Sequence, residues 1–250
     1  MAEPVRPGSH PAATLLADGT IALSFVAAES GGGIRTALVP SFDQHQFGGS
    51  GDEVLTATDK ASYLVGGSGH DTLEGGAGSD LLIGQNGNDL VRGGTGNDRL
   101  EGEAHADTLL GRAGEDVLLS GSGEDLLNGG KGNDTLTGGR DADRLQGSKG
   151  DDILTGGTDA DQFIFATDQV RLINGSTETL EVVLSFGHDV IPDFDTRRDR
   201  IDLRLVGEVD SSDDLVFVQE GGNVRILIAD SSITLAGLHS TDLAANDFLF

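Results

Sequence analysis

A nine-residue period constrains this chain more than any other feature. From Gly48 to Ile164 the sequence divides into thirteen consecutive blocks of nine, with no insertion or deletion. The clearest blocks are Gly66-Gly-Ser-Gly-His-Asp71-Thr-Leu73-Glu, Gly75-Gly-Ala-Gly-Ser-Asp80-Leu-Leu82-Ile, Gly93-Gly-Thr-Gly-Asn-Asp98-Arg-Leu100-Glu and Gly129-Gly-Lys-Gly-Asn-Asp134-Thr-Leu136-Thr. Their shared pattern is Gly-Gly-x-Gly-x-Asp-x-Leu-x. The sixth position reads Glu53, Ser62, Asp71, Asp80, Asp89, Asp98, Asp107, Asp116, Asp125, Asp134, Asp143, Asp152 and Asp161, so twelve of thirteen are carboxylates. The eighth position is large and apolar in all thirteen, from Leu55 to Phe163. A strict short period marks a solenoid, in which each repeat buries its apolar side only by stacking on its neighbours.

The residue types follow from that stacking. Side chains alternate along a strand, so an inward eighth position turns positions seven and nine outward. The six residues between strands must then bend sharply. Glycine at positions one, two and four permits backbone conformations closed to other residues and lets carbonyls converge. The sixth-position acid sets a carboxylate beside those carbonyls. Successive blocks are expected on opposite sides of a flattened roll, so residues eighteen apart stack. One column is then Glu53, Asp71, Asp89, Asp107, Asp125, Asp143 and Asp161, and the other is Asp80, Asp98, Asp116, Asp134 and Asp152. Carboxylates spaced about 4.8 Å apart repel one another. Calcium takes about six to eight oxygen ligands, more than one loop supplies but within reach of two stacked loops. Roughly eight to ten calcium ions are expected from the stacked acid pairs, with folding and metal binding as one event.

Composition agrees. Asp and Glu outnumber Lys and Arg by 42 to 16, for a net charge of -26, which disfavours nucleic acid and anionic membranes and favours cations. With 39 glycines and 4% aromatics the chain would read as disordered; the strict period argues otherwise once the charge is neutralised. There is no cysteine for a disulfide or thiolate site. No apolar run approaches the roughly 20 residues of a membrane span, and Met1 to Pro11 lacks a secretory signal pattern. The histidines show no metal-ligand spacing. His-Glu-x-x-His and Gly-x-Ser-x-Gly are absent, and the Gly-x-Gly-x-x-Gly-like matches open no helix. A binding and structural role is expected, not catalysis.

The fold expected is all-β, a parallel β-roll with β-rich caps. Residues 1–47 read as a leader and a β-hairpin cap over the roll's N-terminal end, with strands in Thr14–Ala27, broken by the turn Asp18-Gly19, and in Ile34–Val39. Residues 48–164 form the roll, of about six and a half turns. Residues 165–250 form a β-rich C-terminal cap with strands in Glu181–Phe186, Leu215–Val218, Val224–Ile228 and Ile233–Leu235.

On these motifs, residues 48 to 250 resemble the RTX (repeats-in-toxin) family. The resemblance implies that each calcium takes carbonyls from positions two and four and the Asp of one repeat. It also implies carbonyls from positions one and three and the Asp of the repeat eighteen residues on. One site would use Gly76, Gly78 and Asp80 with Gly93, Thr95 and Asp98. Another would use Gly67, Gly69 and Asp71 with Gly84, Asn86 and Asp89, and a third Arg112, Gly114 and Asp116 with Gly129, Lys131 and Asp134. Glu53, Gly94, Gly96, Asp107, Gly111, Gly123, Asp125, Gly130, Gly132, Asp143, Gly147, Asp152 and Asp161 hold matching positions. The array departs from the pattern at Ser62, in the glycine-free block 57–65, and at His105, Asp141 and Asp159, which replace the fourth-position glycine.

Asp189-Val-Ile-Pro-Asp193-Phe-Asp195 followed by Asp199-Arg-Ile-Asp202-Leu resembles the segment after the repeats in RTX proteases and alginate epimerase modules. The terminal Asp247-Phe-Leu-Phe250 resembles a type I secretion signal. The resemblance implies export by the type I machinery and a secreted, extracellular or cell-surface protein. Three roles are open: a self-associating surface or matrix component, a soluble effector or pore-related protein, and an accessory module related to proteases or epimerases. For the first, Tyr63, Val65, Leu81 and Ile83 form an outward apolar patch, separated from Val117 and Leu119 by Arg99 and Glu101. That patch is expected either to be covered by residues 14–47 or to meet another protomer. Asp193, Asp195, Asp199 and Asp202 read equally as a further calcium site or as turn and cap residues.

Overall fold

The computed structural model describes residues 12–15, 21–26, 34–39, 42, 44–166, 168–174, 177–183, 186–207 and 209–250. It separates into two units, Met1–Asp43 and Gln44–Phe250. In the first, Ala12–Leu15, Ile21–Val26 and Ile34–Val39 pair as an antiparallel three-stranded sheet. Its strands fall where the apolar runs predict them. The Asp18-Gly19 turn lies outside the described residues.

In the second unit the nine-residue period becomes two parallel sheets used alternately. One takes Gln44–Phe47, Ser62–Ser68, Leu81–Asn86, Arg99–Ala104, Val117–Ser122, Thr135–Arg140 and Ile153–Gly157; the other takes Val54–Thr56, Thr72–Ala77, Leu90–Thr95, Thr108–Ala113, Leu126–Lys131, Arg144–Lys149 and Gln162–Ala166. Within a sheet, neighbours are eighteen residues apart, as in Leu82↔Leu100↔Leu118. Gln44–Phe47 pairs with Ser62–Ser68, so the roll begins before the first glycine block.

The strands are longer than the sequence suggests. A strand such as Thr72–Ala77 runs from position seven through position three of the next block, leaving Gly78 to Asp80 as the turn. Its inward positions are Leu73 and Gly75. The glycine adds no bulk, so the core is one apolar side chain thick per repeat. Every eighth position from Leu64 to Phe163 is fully buried in this column. Each contributes about 1.5–3 kcal/mol by burial.

The β-rich C-terminal region joins the roll through both of its sheets. His188–Ile191 stacks in parallel on Ile153–Gly157, and Arg200–Leu205 stacks on Gln162–Ala166. Ser231–Leu235 and Phe248–Leu249 then extend the two sheets by one further parallel strand each. Beyond Ser231–Leu235 the first sheet ends in antiparallel pairing, with Asn223–Ile228 on Ser231–Leu235 and Val216–Glu220 on Asn223–Ile228. Between Gln162–Ala166 and His188–Ile191 an antiparallel hairpin, Asp168–Asn174 with Thr177–Val183, interrupts the winding. A solenoid end needs bulk to close its core. Phe165 meets Phe186 at 5.0 Å between ring centroids, Phe163 meets Phe194 at 6.0 Å, and Phe217 meets Phe248 at 6.0 Å.

Candidate metal centre

The sixth-position acids form two continuous ladders. In each, a backbone N–H donates to the carboxylate of the acid eighteen residues on: Asp71 to Asp89 at 2.8 Å, Asp80 to Asp98 at 2.9 Å, Asp98 to Asp116 at 2.8 Å, Asp116 to Asp134 at 2.8 Å and Asp134 to Asp152 at 2.8 Å. The other column continues through Asp89, Asp107, Asp125, Asp143 and Asp161. These bonds use only Oδ1. Oδ2 of each Asp from Asp71 to Asp161 at the sixth position is buried without a hydrogen-bond partner. A buried carboxylate oxygen left unpaired is costly, and here the cost recurs at every step of both columns.

Burial raises the carboxyl pKa throughout. It is about 7 for Asp98 and Asp134, about 8 for Asp107 and Asp143, and about 6 for Asp152 and Asp161. Asp71, Asp80, Asp89, Asp116 and Asp125 are raised by the same cause. The backbone N–H bond opposes the shift, and for Asp98, Asp107, Asp134 and Asp143 the acids above and below in the column add to it. Neutral pH therefore sets carboxylate charge against burial unless a cation enters the column.

The glycines shape the cradle. A Cβ on Gly75 would lie 2.5 Å from Oδ2 of Asp80, so the first position is kept clear for the carboxylate of its own block. Ala57 and Ser120 are the exceptions, and the Ser120 hydroxyl donates to the carbonyl of Gly138. Gly78 and Gly96 at the fourth position are left-handed, with φ of 114° and 116°. The carbonyl oxygen of Gly78 sits 1.9 Å from where a Gly96 Cβ would stand. The same left-handed geometry is imposed on seven other side chains at positions two and four: Gln85, Glu103, His105, Arg112, Asp141, Ser148 and Asp159. Sequence reading flagged His105, Asp141 and Asp159 but not the second-position residues Gln85, Glu103, Arg112 and Ser148.

The residues expected to hold calcium come together in pairs of turns. Asp80 and Asp98 are adjacent in one column, on turns whose strands pair Gly76 with Gly94 and Ala77 with Thr95; Asp71 with Asp89 and Asp116 with Asp134 stand on turns paired in the same register. The carbonyls of Thr95, Asn86 and Lys131 each accept one N–H, from Gly78 at 2.9 Å, Gly69 at 2.9 Å and Gly114 at 2.8 Å. A carbonyl oxygen has a second lone pair to offer. Among the described residues no three acidic or histidine side chains converge on one point. Two carboxylates and several carbonyls per gap form an all-oxygen set, which suits a hard cation such as Ca2+. Glu53 begins its column with its backbone N–H on Asp71, and its own carboxylate accepts from Gly49. Ser62 is fully buried and donates its N–H to Asp80 at 2.6 Å, but offers no carboxylate.

Two further features were not legible in the period. Position five carries a second ladder: His70 N–H donates to Asp52, Asn88 to His70 Nδ1, Glu115 to Asn97, and Asp151 to Asn133. Its residue types vary too much to show as a motif. Beyond the array, Asp189 accepts from Asp152 N–H at 2.9 Å and Asp199 accepts from Asp161 N–H at 3.1 Å, so both columns gain a further acid. The acids Asp193, Asp195, Asp199 and Asp202 take local hydrogen bonds and ion pairs. Asp193 accepts from Gly156 and Gly157, Asp195 pairs with Arg198, and Asp202 pairs with Arg204. Oδ2 of Asp199 accepts from Asp195 N–H at 2.8 Å.

Comparison with known proteins agrees with this geometry. A family model described as RTX calcium-binding nonapeptide repeat (4 copies) matches residues 47–82, 83–118, 111–145, 119–154 and 137–166. No curated protein matches the chain. Among solved structures, the extracellular lipase LipA from Serratia marcescens is similar at 17% identity and a TM-score of 0.35, over 82% of this chain and 40% of the lipase. The AlgE6R3 subunit of the Azotobacter vinelandii mannuronan C5-epimerase is similar at 28% identity and a TM-score of 0.37, over 66% of this chain and 80% of that one. The chain thus spans less than half of the lipase's length. Residues 47–166 are RTX calcium-binding nonapeptide repeats, which bind Ca2+ in multiple turns.

Proposed function

We propose that this chain is a secreted protein that folds on calcium outside the cell and serves as a self-associating structural or adhesive component of the cell surface or matrix. The buried, unpartnered Oδ2 atoms of the two Asp columns carry the reading. Where calcium is scarce, column repulsion keeps the acidic chain unfolded and fit for threading through the type I machinery. Where calcium is abundant, about eight to ten ions close the columns. Sites such as Asp80 with Asp98 and Asp116 with Asp134 are the ones it fills, with carbonyls of the intervening glycine turns as further ligands.

Self-association rests on the first sheet. Val65, Ile83, Glu101 and Leu119 stand in register across it, as do Tyr63, Leu81, Arg99 and Val117. The apolar members of both rows are only half-buried. These are two apolar patches on one face, parted by Arg99 and Glu101, and surface apolar clusters mark interfaces. Sedimentation of the purified chain in calcium should show assemblies that chelator dissolves. Leu81→Glu with Leu119→Glu should leave a folded, calcium-loaded monomer; assembly unchanged in that variant would reject the interface.

A further inference from the structure

A fourteenth repeat of the roll lies hidden beyond the array. Residues 186–191, Phe-Gly-His-Asp-Val-Ile, repeat the block pattern from position three to position eight. They are out of phase, because Asp189 follows Asp152 by 37 residues where the array uses 18, an insertion of 37 − 18 = 19 residues that holds the Asp168–Val183 hairpin. The period and the matched repeats both stop short of this segment.

The structure nonetheless seats it as a regular turn. Asp152 N–H donates to Oδ1 of Asp189 at 2.9 Å, as Asp134 does to Asp152 at 2.8 Å. Val190 N–H donates to the carbonyl of Asp152 at 2.8 Å, as Ile153 does to Asp134 at 2.9 Å. His188 N–H meets Oδ1 of Asp151 at 2.9 Å and so extends the fifth-position ladder. Gly187 is left-handed, with φ of 94°, and a Cβ there would lie 1.8 Å from the carbonyl oxygen of Gly150; the Gly150 and Gly132 pair gives 1.9 Å. Ile191 takes the inward eighth position and is fully buried. Asp189 itself is 1% exposed, and its Oδ2 is buried with no hydrogen-bond partner, as is that of Asp152.

We infer that Asp152 and Asp189 bind a further Ca2+, with the carbonyls of Ser148 and Gly150, and that this ion fastens the C-terminal segment to the roll. The inference rests on the reading that the unpartnered column oxygens hold calcium. The two columns end differently. Oδ1 of Asp199 accepts from Asp161 N–H and Oδ2 from Asp195 N–H, so that column ends on an acid with no unpartnered oxygen.

The test is the number of calcium ions per full-length chain, measured by elemental analysis after equilibration at saturating calcium. Asp189→Asn should bind one ion fewer than the wild type, with the circular dichroism of the roll retained. Asp189→Ser, which imitates buried Ser62, should do the same. Asp199→Asn should bind the wild-type number. Both Asp189 variants should also be cleaved faster between 166 and 186 by a protease in calcium. An unchanged ion count in either Asp189 variant overturns the site. Collapse of the whole roll in both overturns it too, since an end site supports only its neighbouring turn. A wild type that binds no calcium instead rejects the underlying reading.

Discussion

The backbone N–H of Asp98 donates to Oδ1 of Asp116, eighteen residues on, at 2.8 Å, while Oδ2 of that same carboxyl is buried without a partner. One carboxylate thus does two jobs: it holds the register of the turn below and leaves an oxygen for a cation. Asp116 also lies between Asp98 and Asp134 in its column and borders two gaps. Asp116→Ala should release two calcium ions per chain and leave the Asp98 N–H unpaired, a loss of about 1–3 kcal/mol before the metal is counted. Equilibrium dialysis, with urea melts at fixed free calcium, checks both numbers; loss of a single ion would contradict the shared-ligand geometry.

Without metal, stability should fall as pH rises. Burial raises the folded-state carboxyls to about 6 for Asp152 and Asp161, about 7 for Asp98 and Asp134, and about 8 for Asp107 and Asp143, from 3.8. The fold therefore binds more protons than the unfolded chain across that interval, and its stability is fully present only below 3.8 and lost as pH climbs through those values. Chelated protein should gain β-structure by circular dichroism when taken from about pH 8 to about pH 5, in the absence of aggregation. With calcium present the dependence should reverse, because protons then compete with the ion.

Glu103 and His105 hold left-handed backbone, with φ of 77° and 78°, in one block. Left-handed backbone costs a side-chain-bearing residue about 1–2 kcal/mol, partly offset by the extra freedom glycine gives the unfolded chain. Glu103→Gly and His105→Gly should each stabilise the calcium-loaded protein by up to about 1 kcal/mol. Thermal melts at saturating calcium would show a higher Tm for both, and a lower one would mean that these side chains earn their place by contacts.

Ser62 is buried in the column position and already donates its N–H to Asp80. It lacks the carboxylate, and Ala57 occupies the first position that glycine keeps clear in most other blocks. Ala57→Gly with Ser62→Asp should add one calcium ion per chain and raise the Tm in calcium. Isothermal titration against the wild type would decide it; an equal ion count would show that the missing glycines at positions two and four also matter.

Much of this was legible early because the chain repeats itself. A period of nine with an invariant inward residue admits few foldings, and eighteen-residue stacking follows from alternation between two faces. Asp71 to Asp161 could be assigned to columns before any coordinates. The carboxylate pairing within a column is local to adjacent turns, so spacing alone carried it. Asp189 and Asp199 were not placed in the columns, since the inserted hairpin breaks the phase that spacing relies on.

The sequence by itself determined the parallel β-roll, its two acid columns and the one-residue core, because those depend on identity at fixed intervals. The tertiary structure decided which oxygen of each Asp is used and which is left over. It also decided that Gln85, Glu103, Arg112 and Ser148 obey a glycine's backbone, and that His188–Ile191 and Arg200–Leu205 continue the parallel winding beyond the array. Those outcomes depend on turns stacking over one another. A neighbouring turn imposes its backbone path on any residue that follows, whether or not the residue keeps the pattern.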